Sequence, residues 1–132
     1  MDVGDPSNWV RIMDLFGQDK DQLKSMVTGY SFRDDGTLEA IEKVFSKHQY
    51  IMCPHTAIAW LAFKQWMKEH PDEKATGVFL STAHPCKFPD IFPAEIAKKI
   101  DIPGQVKELE GKEKMAICLE NDFEIFKAYL LA

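Results

Sequence analysis

Apolar residues recur at helical spacing along most of the chain and condense into unbroken runs at three places. Trp9, Ile12, Met13 and Phe16 fall at i, i+3, i+4 and i+7, the stripe of an amphipathic helix that Pro6 and Ser7 start and Gly17 stops. Asp19 is a good cap for a second helix to about Val27, with Leu23, Met26 and Val27 turned inward. Asp35 or Thr37 suits the start of a third, in which Leu38, Ile41, Val44 and Phe45 face the core while Glu39, Glu42 and Lys43 stay in water. Proline fits the first turn of a helix, so Cys53-Pro54-His55-Thr56 opens a long apolar helix through Met67. Ile58, Leu61, Ala62 and Trp66 mark one of its faces, and Ala57, Trp60 and Phe63 widen it. A helix around 93–99, a short one after Pro103, and a last one capped by Asn121, with Phe123, Phe126 and Leu130 on one face, complete the helical reading.

The unbroken runs predict strands. They are Tyr50-Ile51-Met52, residues 76–81 with Val78-Phe79-Leu80 after Gly77, and Met115 to Leu119. Runs of this kind fit strands buried on both faces of a parallel sheet. Strand 50–52, the helix from Pro54 and strand 76–81 would form a right-handed βαβ unit with strand 76–81 inside the sheet. Met1 to Val3 read as the tail of a further strand, and Gly4-Asp5-Pro6-Ser7 as the turn after it. The expected fold class is therefore α/β, a small mostly parallel sheet flanked by helices, in one domain over residues 1–132.

Composition narrows what such a domain does. With 132 residues and 45% apolar content the chain is long enough for one core. A net charge of -5 with the two signs interspersed argues against nucleic acid, which needs clustered Lys and Arg. No apolar run approaches the roughly 20 residues that span a bilayer, and the first residues lack the basic and apolar regions of a signal peptide, so no membrane role and a cytoplasmic location are expected. Cys53, Cys86 and Cys118 are odd in number and lack C-x-x-C spacing, which reads as three reduced thiols.

Ligands of open α/β sheets bind just past the carboxyl ends of strands, and Ser81, Thr82, His84 and Lys87 follow such a run. Each has a plainer reading: the hydroxyls as partners of local backbone, the lysine as a solvated charge, and His55 as a structural residue at a helix start. Cys53-Pro54-His55 and His84-Pro85-Cys86 together supply a zinc-type ligand set. A lone proline between each pair of ligands keeps them from converging on one tetrahedral ion, so no metal is expected. A Cys nucleophile with a His base lacks an orienting acid and an oxyanion loop.

The phrases MDVGDPSNW, MCPHTAIAW and FLSTAHPCKFP, in this order and at these separations, resemble the threonine synthase family of fold type II pyridoxal-phosphate (PLP) enzymes. Its pattern reads like DVGNPSNFER, DPHTAVA and STAHPAKF. Trp9-Val10-Arg11 stands where Phe-Glu-Arg is common, Cys53 where Asp is usual and Cys86 where Ala is usual. The family holds PLP as a Schiff base on a lysine in an SFKD-type segment and its phosphate in a glycine- and asparagine-rich loop, and neither lies in these 132 residues. The resemblance thus implies the C-terminal part of the large domain of a lyase that converts O-phosphohomoserine and water to threonine and phosphate, with the isolated chain inactive. It implies that the Thr82 hydroxyl bonds the pyridine nitrogen of PLP with Ser81 beside it, and that His84 and Lys87 orient the site or attract the anionic substrate. Strands missing from the sheet would leave apolar surface through which the chain could self-associate. The other classes open to the residues are a free-standing α/β binding module without catalysis and a small thiol or zinc protein.

Overall fold

Among the described residues helix-forming spacing is realised, whereas the strand-forming runs find no partner. The computed structural model describes residues 6–132, so the expected strand tail at Met1–Val3 and the first half of its turn lie outside the described residues. These residues gather into two units, one up to Ile100 and one from Asp101 to Ala132.

In the first unit, α1 (Trp9–Leu15) buries Met13 and ends where Gly17 and Gln18 turn left-handed, with φ of 56° and 64°. Glycine adopts that conformation without a Cβ penalty, which is why the helix stops there. The Asp19 carboxylate then accepts the N–H groups of Asp21 and Gln22 at 2.9 and 3.1 Å and starts α2 (Lys20–Met26). Its expected inward residues Met26 and Val27 are exposed. The third helix, α3 (Asp34–His48), begins just before its expected caps. Asp35 bonds the N–H of Gly36, and Thr37 is buried in the first turn with its hydroxyl donated to the Arg33 carbonyl. Gln49 closes α3 in the left-handed region, with its amide on the Phe45 carbonyl at 3.1 Å.

Pro54 opens α4 (Pro54–Glu69) in the first turn, where its missing N–H costs nothing. Packing of α3 on α4 carries the core. Ile41 and Val44 of α3 meet Met52 and Ala57, and Phe92 and Ile96 close the cluster from the region of α5 (Ala94–Ala97). Phe45, Trp60, Phe88 and Ile100 rim it. Full burial of a side chain the size of Ile41 or Met52 stabilises by about 1.5–3 kcal/mol, so this cluster is the main source of fixed structure in the unit.

The expected α/β sheet is not present. Among the described residues no strand forms, so neither the mostly parallel sheet nor the βαβ unit exists. A strand needs a ladder partner, and an apolar run specifies burial but not who supplies it. Residues 51 and 52 bury their side chains in the helical core instead. Residues 76–81 run along α4 with Val78 and Leu80 86% and 73% exposed, and 115–119 leave Met115 94% exposed.

The second unit contains α6 (Gly104–Lys107) and α7 (Phe123–Leu131). The cap of α7 is Asp122, not Asn121, because its Oδ1 reaches the Ile125 N–H at 3.0 Å. From Gly104 onward every residue of this unit is exposed. Among the described residues no helix is long and apolar enough to cross a membrane.

Candidate functional site

Thr56 sits in the first turn of α4 with no exposed surface. A buried hydroxyl needs partners, and this one has two. It lies 3.1 Å from the Cys53 sulfur, and it donates to the Ser81 hydroxyl at 3.4 Å, across 25 residues of sequence. Two turns further along the helix, Phe63 lies against Gly77 so closely that a Cβ there would run into its ring.

These two contacts fix a direction. Thr56 and Phe63 are seven residues apart on a helix, about 10 Å. Gly77 and Ser81 are separated by four extended steps, about 13 Å. The segment from Gly77 to Ser81 therefore runs back along α4, antiparallel to it, and delivers Thr82 to the helix start beside His55.

Thr82 and His55 line one groove of about 600 Å³, walled by Phe63, Trp66 and Phe79, with Tyr30 also on its wall. The His55 ring is also 5.3 Å from the Phe88 ring, which Lys87 overlies with its ammonium 5.7 Å from the centroid. Phe88 thus ties the loop after Thr82 to the first turn of α4.

Of the four residues expected at the site, Thr82 lines the groove and Ser81 is held by Thr56. His84 turns to its own loop, where Nδ1 accepts the Cys86 N–H at 3.2 Å and starts a single 3-10 turn at 85–87. Lys87 is exposed over Phe88. His55, read from sequence as structural, shares the groove with Thr82, and Thr56 was not singled out at all. Neither carries a local signal for this, because they meet Ser81 and Thr82 only through the antiparallel lie of residues 77–81 on α4. Cys53 is buried, Cys86 half-buried and Cys118 exposed, each a free thiol.

Beyond the groove's aromatic wall, the Tyr30 hydroxyl donates to Glu69 at 2.7 Å, and the Gln65 amide donates to the other carboxylate oxygen at 2.6 Å. The bond to Glu69 raises the Tyr30 phenol above its ordinary 10.0. Tyr30 first, and Gln65 after it, hold Glu69 below the ordinary carboxylate value. Their shared bond pins the loop after α2 to the end of α4.

Residues 56–130 match the family described as threonine synthase, C-terminal. Across 99% of the chain, threonine synthase of Buchnera aphidicola subsp. Schizaphis graminum is 33% identical and that of Escherichia coli K12 is 31% identical. A threonine synthase-like 2 protein of Xenopus laevis is 25% identical over 94% of the chain. The chain spans 29% of the length of the two bacterial relatives and 31% of the frog protein. No solved structure matches.

Proposed function

Because the chain belongs to the threonine synthase family, in its C-terminal region, we propose that it supplies the part of a PLP-dependent synthase that meets the cofactor's ring nitrogen. The observation that carries this reading is Thr82, delivered by the Gly77–Ser81 segment into a groove walled by aromatic rings. Bound PLP supplies an electron sink for chemistry next to an amino group. The residues present fit one edge of that group. A hydroxyl donor at the ring nitrogen satisfies it without the charge of a carboxylate partner, which leaves the nitrogen largely unprotonated and tempers the sink. Phe63, Trp66 and Phe79 offer apolar walls against which a planar ring can pack. Among the described residues no lysine lines the groove, and in this reading the amine that holds PLP and the cradle for its phosphate come from elsewhere in a full-length synthase.

In this reading the full-length lyase turns O-phosphohomoserine and water into threonine and phosphate, and the chain alone does not. Thr82 orients the ring, Ser81 stands beside it, and His84 and Lys87 draw the anionic substrate toward the loop at 84–88. The test is Thr82→Val in a full-length synthase carrying these residues. Valine keeps the shape and removes the donor, so the fold survives and cofactor affinity changes little. Turnover falls at least about fivefold, the equivalent of a hydrogen bond worth ~1 kcal/mol. Unchanged turnover with an unchanged cofactor spectrum would leave Thr82 a residue of the fold only.

A further inference from the structure

Thr56 is fully buried and its hydroxyl has two side-chain partners. Its hydroxyl bridges two neighbours, so the three side chains form a connected chain. The Cys53 sulfur lies 3.1 Å from the Thr56 oxygen, and Thr56 donates to Ser81 at 3.4 Å. We propose that Thr56 is a positioning residue, whose buried hydroxyl holds Ser81 in one rotamer and thereby sets where the adjoining Thr82 hydroxyl stands in the groove.

Two features make the hold necessary. Among the described residues the segment that carries Ser81 and Thr82 has no ladder partner, so its hold within this chain comes from side-chain contacts with α4. The Phe63–Gly77 contact anchors only its far end, and it is apolar and without direction, whereas a hydrogen bond to Ser81 has direction. Thr56 also lies within the matched family region, one residue after His55, which shares the groove with Thr82. The inference rests on the proposed cofactor site for its purpose, but its geometry can be read without any cofactor.

The experiment is a comparison of Thr56→Val and Thr56→Ser in the full chain, read by three-bond couplings at the Ser81 side chain and by the thermal midpoint. Valine keeps the methyl that packs and puts a second methyl in place of the hydroxyl; serine keeps the hydroxyl and loses the methyl. The parent chain and Thr56→Ser should show one dominant Ser81 rotamer, and Thr56→Val should show rotamer averaging, whatever each does to the midpoint. An averaged Ser81 in the parent, an unchanged single rotamer in Thr56→Val, or averaging that follows the loss in midpoint in both variants would each overturn the proposal. A second arm takes Thr56→Val into the full-length synthase, where the PLP absorption band should move in the same sense as in Thr82→Val and return with Thr56→Ser. If Thr82→Val leaves that band alone while Ser81 still averages in Thr56→Val, the cofactor reading fails and the positioning role stands.

Discussion

The α3–α4 region and the 101–132 unit carry the same kind of sequence signal and end in opposite states. Ile41 and Val44 repeat at helical spacing and are buried; Phe123, Phe126 and Leu130 repeat at helical spacing and are exposed. The difference is not in the caps, since Asp122 caps α7 with a side-chain bond and no such bond caps α3. It lies in the partner. Two helices of 15 and 16 residues lie against each other, whereas α7 has nine residues and leaves its apolar face open. Amphipathicity supplies a face to bury, and stability follows only where a second face meets it.

That contrast is broken most easily by one deletion in each region. Ile41→Ala should cost about 2–5 kcal/mol, because the α3–α4 interface cannot close over the lost methylenes. Leu130→Ala, at an exposed site, should change stability by no more than about 0.5 kcal/mol. Chemical unfolding of both variants measures the pair, and equal costs would mean that the open face of α7 is covered in solution.

A smaller effect is expected at the seam between α4 and the extended segment. Gly77→Ala drives a Cβ into the Phe63 ring, which must rotate into the groove. The expected cost is about 1–3 kcal/mol, with the aromatic resonances of Phe63 shifted. An unperturbed Phe63 would show that the segment does not lie on α4.

The weakest contact tested is the Tyr30–Glu69 tether. Glu69 is lowered by its bonds, so its contribution is present above the unfolded carboxylate value and is lost as pH falls through the lowered one. Tyr30 is raised, so its contribution is present below the unfolded phenol value and is lost as pH rises through the raised one. The tether therefore weakens at both ends of the pH range and is intact between them. Tyr30→Phe should flatten both limbs of the unfolding midpoint against pH, and an unchanged profile would leave the tether without a role in stability.

What the sequence made legible follows from how local each signal is. Asp19 as a cap, Gly17 as a stop and Pro54 as an opening residue depend on neighbours within four positions, and all three stand in the structure. The sheet did not, because Val78-Phe79-Leu80 and Met115 to Leu119 encode a wish for burial and say nothing of a ladder partner elsewhere. Met26 and Val27 failed for the same reason, as the spacing that marks a face cannot name what covers it. At the site, the run after Leu80 drew attention to Ser81 and Thr82, but Thr56 and His55 join them only through the antiparallel lie of residues 77–81 on α4. A contact across 25 residues has no local signature.

The central claim is that Thr82 offers a neutral hydrogen bond to the cofactor's ring nitrogen, and nitrogen-15 NMR of PLP labelled at that atom, in a full-length synthase carrying these residues, reads it directly. The account predicts an unprotonated, hydrogen-bonded nitrogen whose resonance moves toward that of a free pyridine in Thr82→Val. A protonated ring nitrogen, or a resonance that Thr82→Val leaves in place, would contradict it.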